Sequence, residues 1–134
     1  MANASDYLEQ QVFNHIFRDD TFSKPANIFI GLTLDVPTDA GAYTEVNGLA
    51  YARYAGASGD AVWAAHSDTS SNAIDFEWTA AGGNWGTVSG VVITDSATPS
   101  GGNVLLHGEL TTPKNVQTGD VFKFAAGDLD VTIS

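Results

Sequence analysis

Apolar and polar residues follow two different periods along this chain. From Asp6 to Arg18, apolar side chains recur every three or four residues and fall on one stripe of a 3.6-residue helix. Asp6 and Glu9 have the spacing of a capping box, with Ser5 as the alternative cap. The pattern predicts one amphipathic helix over about residues 6–18. Its apolar stripe consists of Leu8, Val12, Phe13, Ile16 and Phe17.

From about residue 27 the period is two, the spacing of half-buried strands. Turn-forming clusters of Gly, Pro, Asp and Asn interrupt this alternation every ten residues or so. Recurring short strands of this kind are typical of an antiparallel β-sandwich or barrel-like domain, so we predict a mainly β fold with one N-terminal helix. The strands are expected at 28–34, 51–54, 61–64, 103–110, 121–124 and 129–133.

The length of 134 residues is that of one domain, so residues 1–134 are expected to form a single β-rich unit with strands from about 27 to 133. The polar stretch 35–48 is expected to be a surface loop, either functional or partly strand-like. The helix is expected to cover an open face of the sheets or to pack against another subunit.

The clearest local signal is the stretch from Ile74 to Ile93. Alternation in its first arm, a glycine-rich run at 80–84 and a second arm opening at Trp85 predict a β-hairpin. The first arm is expected to place its apolar side chains in the core and its acidic side chains outside. The inner residues are Ile74, Phe76 and Trp78, and the outer ones are Asp75 and Glu77.

The strongly negative charge of the chain disfavours partners that are themselves negatively charged. Sixteen acidic residues against five basic ones give a formal net charge of −11, which repels nucleic-acid phosphates and anionic lipid. We therefore expect neither a nucleic-acid nor a membrane partner. The absence of cysteine excludes thiol chemistry, and no segment has the pattern of a signal peptide or a membrane span, so a soluble chain is expected.

The sequence carries no recognisable catalytic or metal-binding motif. No serine elbow, Walker or dinucleotide glycine motif is present, and the three histidines lack zinc-site spacing. Carboxylates at i and i+2, in the pairs Asp75–Glu77 and Asp128–Asp130, are typical of a solvated strand face, with a calcium site or glycosidase pair as the alternative. We therefore predict no catalytic residue, no cofactor and no metal site. The histidines are His15, His66 and His107.

Two tryptophans are candidates for exposure. Trp85 lies beside glycines at the predicted turn, and Trp63 lies in an alanine-rich stretch, whereas Trp78 shares the apolar face of its strand. An exposed indole can stack on a sugar ring or anchor a protein interface. Trp63 and Trp85 are thus candidate glycan-binding or interface residues.

Nearly the whole chain, most densely residues 72–134, resembles a family of small bacteriophage virion proteins. The most distinctive pieces are Asn84-Trp85-Gly86-Thr87 and Leu110-Thr111-Thr112-Pro113-Lys114. Members of this family are described as tail fibre, minor tail or capsid decoration proteins. The chain departs from the family in the acidity of its strand faces, which would alter a partner surface.

The resemblance implies a structural virion protein without enzymatic activity or cofactor, made in the host cytoplasm and located in the virion. Our first hypothesis is a capsid decoration or cement protein that binds the assembled head, because the chain is short for a fibre. The alternative is a tail or head fibre, or minor tail protein, that binds host-surface glycan. The expected partner is the major capsid protein or a tail protein. The chain is also expected to form a homo-oligomer, with a trimer favoured. Docking is expected through the helix stripe and the 35–48 loop.

Overall fold

A computed structural model describes residues 2–65 and 68–133, and within these ranges it contains one helix and eight strands. The helix α1 spans Asp6–Phe17. The strands are β1 (Ala2–Ala4), β2 (Phe29–Thr33), β3 (Thr69–Ser71), β4 (Phe76–Thr79), β5 (Gly86–Thr94), β6 (Val104–Val116), β7 (Val121–Phe124) and β8 (Asp130–Thr132). The predictions of a mainly β fold and of one N-terminal helix are confirmed.

The strands form two sheets that share one core. Six strands lie in the order β2-β5-β6-β1-β8-β3, and β4 pairs with β7 in a separate two-stranded sheet. Neighbouring strands are antiparallel except for β1 and β8, which run parallel. Inward side chains of both sheets meet in one cluster, with Ile30, Leu32 and Val91 from the larger sheet against Trp78 and Phe122 from the smaller one. This face-to-face packing is sandwich-like.

The predicted hairpin from Ile74 to Ile93 is wrong. β4 pairs with β7, with Phe76 opposite Phe124 and Trp78 opposite Phe122, while β5 pairs with β2 and β6. The glycine-rich run 80–84 therefore carries the chain from one sheet to the other. Aromatic side chains explain this choice of partner, because the Trp78 ring lies 5.9 Å from Phe122 and 6.0 Å from Phe124, both edge-on.

The predicted faces of β4 are correct within the strand itself. Phe76 and Trp78 are buried, and Glu77 is exposed, as is Asp75 just before the strand. Ile74 lies outside β4 and is 38% exposed, so its assignment to the core is wrong. It precedes the start of the pairing with β7 and therefore does not continue the alternation.

Two strands were not predicted, and two predicted strands do not form. β1 and β3 consist of small or polar residues, so they lack the alternation of apolar side chains that identifies a strand. The segments 51–54 and 61–64 make only isolated bridges, Tyr54 with Ile30 and Trp63 with Asn72. Positive φ angles at Gly56 and Gly59 turn the chain away between these bridges.

Of the two proposed helix caps, Ser5 is the one used. Its hydroxyl accepts a hydrogen bond from the Leu8 amide at 3.2 Å and also donates to the Val104 carbonyl. The same side chain therefore satisfies a free amide of the first turn and ties the helix to the start of β6. No helix among the described residues is long and apolar enough to cross a membrane.

Candidate interaction surface

The C-terminal half of α1 carries large apolar side chains in solvent. Phe13, Ile16 and Phe17 are 55%, 63% and 72% exposed. The rings of Phe13 and Phe17 contact each other, with centroids 5.0 Å apart, as the i, i+4 spacing of a helix allows. We call these three residues the α1 patch. Large apolar groups that are exposed together mark an interaction surface more often than scattered single ones do.

The N-terminal half of α1 is held by the protein's own core. Leu8 is 8% exposed and packs in a small cluster with Ala4 and Leu105, and Val12 packs against this cluster. The Asp6 amide also donates to the Asp39 carbonyl at 2.9 Å. Leu8 is thus a buried anchor of the helix within the chain, and Val12 is half-buried beside it, so these two residues offer a partner less surface than the rest of the predicted docking stripe. The other three stripe residues remain free to contact a partner.

A depression of about 750 Å³ borders the patch along the helix. Phe13 lines it together with three acidic residues and one basic residue, Asp6, Glu9, Asp20 and Arg18. Every residue from His15 to Thr21 is exposed, including Asp19. The α1 patch is therefore an apolar surface at the exposed C-terminal end of the helix, and acidic residues lie around it.

Trp85 is buried, so its predicted exposure is wrong. The residue is 5% exposed, its Nε1 donates to the Leu49 carbonyl at 3.0 Å, and its ring packs edge-on against Tyr51 with centroids 5.3 Å apart. Gly48 lies so close that an added Cβ would meet the Trp85 Cδ1 at 2.4 Å. In this chain the Trp85 indole offers no ring face for stacking on a sugar.

Trp63 is half-buried and lines a shallow depression of about 590 Å³ with Lys24 and Asp60. Its Nε1 donates to the Ala57 carbonyl at 2.7 Å, and its ring packs against Phe76 with centroids 5.6 Å apart. The indole is thus fixed in orientation, with part of it left at the surface.

Of the four carboxylates predicted on strand faces, Glu77 lies in β4 and Asp130 in β8, whereas Asp75 and Asp128 lie outside the strands, so the prediction is wrong for these two. Asp75 accepts a hydrogen bond from the Ala126 amide at 2.9 Å, and Asp128 accepts one from the Ala125 amide at 3.2 Å. Asp130 accepts from the Ser71 hydroxyl. The bonds to Asp75 and Asp128 hold the 125–128 turn, and the bond to Asp130 joins β8 to β3. Within residues 2–65 and 68–133, no three His, Asp or Glu side chains are grouped as metal ligands would be.

The histidines contact different parts of the fold. The His107 Nε2 lies 2.7 Å from an Asp39 carboxylate oxygen, which links β6 to the 35–48 loop. The His15 Nδ1 accepts a hydrogen bond from the Phe22 amide at 3.2 Å. His66 lies outside the described residues. The two described histidines therefore have separate structural contacts.

A buried ion pair lies beneath the 35–48 loop and was not predicted. Arg53 donates to Glu45 through Nε at 3.0 Å and through a terminal nitrogen at 2.8 Å. It also donates to the Thr94 hydroxyl at 2.8 Å and to the Ser96 carbonyl at 2.7 Å. Both charged side chains are almost fully buried. Glu45 lies in a predicted loop and Arg53 in a predicted strand, so no pattern of sequence spacing identifies the pair.

The surroundings of this pair shift the pKa values of its neighbours. Burial, the hydrogen bond to Glu45 and the Glu45 charge raise the pKa of Tyr51 far above its ordinary value. Burial acts to lower the pKa of Arg53, but the hydrogen bonds and charge of Glu45 outweigh it, so the Arg53 pKa is raised. The guanidinium therefore stays charged, and the Tyr51 hydroxyl stays protonated to donate to Glu45. The cluster thus joins the 35–48 loop to Arg53 and to the end of β5.

A family model described as podophage GP4 fiber I protein gp80 matches residues 3–132. The chain belongs to this family of phage fibre proteins. The predicted membership of a bacteriophage virion family is therefore confirmed. A search of curated proteins found no match.

Membership of the fibre family identifies a structural phage protein that associates with other structural proteins of the phage. The family description names a fibre, and so it favours our alternative hypothesis over the capsid decoration hypothesis. Both distinctive sequence pieces lie inside the matched residues. The piece 84–87 is at the crossing between the two sheets, and the piece 110–114 is on the outer part of β6, mostly exposed.

Proposed function

We propose that the protein is a subunit of a podophage fibre that docks on another virion protein through the α1 patch. The observation that carries this proposal is the exposure of Phe13, Ile16 and Phe17 on a helix whose first half is fixed to the β domain. Burying a large apolar side chain stabilises a contact by about 1.5–3 kcal/mol. Three of them together contribute about 4.5–9 kcal/mol, which is comparable to the cost of association, so contacts around the patch must supply the remaining affinity.

Removal of the aromatic pair tests this proposal. Virions carrying Phe13→Ser with Phe17→Ser are expected to lose the protein, because the docking surface becomes polar. The matched control is Leu49→Ser with Ile133→Ser, which removes two exposed apolar side chains elsewhere, 67% and 60% exposed. Quantitative mass spectrometry of purified virions gives the copy number of each variant.

The control pair is expected to be incorporated at the wild-type level. Full occupancy of virions by a folded Phe13→Ser, Phe17→Ser protein would contradict docking through the patch. Circular dichroism and the melting temperature of the purified variants establish that each is folded.

Immunogold labelling of intact virions separates a position on a fibre from one on the head, where the decoration hypothesis places the protein. Native mass spectrometry measures the predicted homo-oligomer, with a trimer favoured.

A second candidate function is contact with a host-surface glycan at Trp63. The supporting observation is its partly exposed indole in a depression shared with Lys24 and Asp60, since an aromatic surface beside charged hydrogen-bonding groups suits a sugar ring. A glycan array with the purified protein is expected to give hits that Trp63→Ala abolishes and Lys114→Ala leaves unchanged. The absence of any hit on polysaccharides of the host would refute this candidate. The docking proposal would be unaffected.

A further inference from the structure

We infer that the occupant of the α1 patch is a basic surface of a different virion protein, in which Lys or Arg side chains surround an apolar depression. This inference rests on the proposed docking function and adds the chemistry of the partner. It follows from the charges around the patch and from the distribution of basic residues over the rest of the chain.

The segment around the patch carries a net negative charge. Asp6, Glu9, Asp19 and Asp20 are exposed within the helix and the residues that follow it, and Arg18 is the single base in this segment. Four acids and one base give the segment a net charge of −3. Within residues 2–65 and 68–133, the ion pairs of the structure involve none of these four carboxylates. A partner that covers the apolar side chains must therefore lie against unpaired carboxylates.

A second copy of this chain does not supply the complementary charge. Two copies that met patch to patch would bring two segments of −3 together, and like charges opposed across an interface are unfavourable. Of the five basic residues, Arg53 is buried against Glu45. Lys114 and Lys123 share one depression, but Glu109 and Asp128 line it as well, so that surface is neutral. Lys24 shares its depression with Asp60. Within residues 2–65 and 68–133, the chain thus offers no basic surface to its own patch.

A basic partner satisfies both parts of the surface. Its apolar depression would take up the Phe13 and Phe17 rings, and its Lys or Arg side chains would lie against the carboxylates at either end of the patch. Opposite charges at the rim accelerate association and orient the two proteins, while the apolar contact slows dissociation. Such an interface weakens as salt is added, because screening reduces the attraction between the rims.

Charge reversal in virions tests the inference. Asp19→Lys with Asp20→Lys places two positive charges beside the patch without touching its apolar residues. The matched control, Asp60→Lys with Glu77→Lys, changes the net charge equally at exposed positions away from the helix. The patch variant is expected to reduce the copy number per virion by about tenfold or more, and the control to stay within about twofold.

The variant is suited to this test because its fold is not expected to change. Asp19 and Asp20 follow the C-terminal end of α1, where a positive charge interacts favourably with the helix dipole and so stabilises the helix. A far-ultraviolet circular dichroism spectrum of the purified variant checks this.

Washing wild-type virions in increasing salt is expected to release the protein progressively, and a release independent of salt would count against a charged interface.

The outcomes separate this inference from the docking proposal. If charge reversal leaves occupancy unchanged while Phe13→Ser with Phe17→Ser abolishes it, docking stands and the basic partner is refuted. If both variants keep full occupancy, the docking proposal itself fails. Self-association of the purified protein that disappears in the Phe13→Ser, Phe17→Ser variant would assign the patch to a second copy and overturn the inference. If the Phe13→Ser, Phe17→Ser variant self-associates as the wild type does, the result supports a different virion protein as the partner of the patch.

Discussion

At the scale of single residues, the sequence predicts burial well only where the alternation is regular. Phe76 and Trp78 lie in the core as predicted. Trp85 does not follow its local context, because the glycines beside it suggested an exposed turn while distant residues, Leu49 and Tyr51, bury it. Arg53 is the most extreme example, since its partners Glu45, Ser96 and Gly101 come from loops whose positions no sequence pattern predicts.

Arg53→Met is expected to destabilise the protein by about 3–5 kcal/mol, because it leaves the Glu45 carboxylate buried without its counter-charge. It also removes the donors to Thr94, Ser96 and Gly101, which hold the turn between β5 and β6. Urea unfolding at neutral pH measures the change. Lys24→Met, at an exposed position, is the control and should stay within about 0.5 kcal/mol of wild type. A loss of less than about 1 kcal/mol for Arg53→Met would show that the pair contributes little.

At the scale of elements, α1 and the strands with alternating apolar residues could be predicted, and their pairing could not. β2, β6, β7 and β8 form within or close to the predicted segments, although β6 continues six residues beyond Leu110. The helix period predicted the apolar stripe but not which part of it the core would use. That division depends on where Leu105 and Leu106 of β6 lie, which is a tertiary contact.

Gly90 shows how one position on a strand fixes the loop above it. A Cβ at this residue would lie 2.5 Å from the Pro37 Cδ, 2.5 Å from the Thr33 hydroxyl and 2.8 Å from the Asp35 carbonyl. Gly90→Ala is therefore expected to cost about 1–3 kcal/mol, because the start of the 35–48 loop must move off β5. Thermal unfolding followed by circular dichroism measures this loss.

Gly83→Ala is the matched control for Gly90→Ala. Its added Cβ would meet only a Leu49 methyl carbon at 4.0 Å, an ordinary contact, so its effect should stay within about 0.5 kcal/mol. Equal melting temperatures for the two variants would mean that the loop has room to shift without loss of stability.

At the scale of the whole molecule, β1 joins the two parts of the larger sheet. It lies between β6 and β8, with Asn3 opposite His107 on one side and Thr132 on the other. Ala2 and Ala4 point inward and are buried, while Asn3 is exposed. A strand of three small residues thus holds β8, and through it β3, to the rest of the sheet.

Asn3→Pro is expected to destabilise the protein by about 1–3 kcal/mol, because proline lacks the amide that a strand between two neighbours uses. Asn3→Thr keeps the amide and a strand-compatible side chain, and so is the control. Hydrogen exchange should show that the amides of β8 lose protection in Asn3→Pro and keep it in Asn3→Thr. Unchanged protection of β8 in the proline variant would contradict a joining role for β1.

The sequence by itself determined the mainly β class, the amphipathic helix, the acidic charge and the phage virion family, because period, composition and motif are properties of neighbouring residues. Only the tertiary structure decided that β4 pairs with β7, that β1 completes the larger sheet, that Glu45 and Arg53 are buried together, and that Phe13, Ile16 and Phe17 alone of the helix stripe stay exposed. The physical reason is competition for burial. A local pattern shows which face of an element is apolar, whereas the surface that covers this face depends on all the other elements that compete for it.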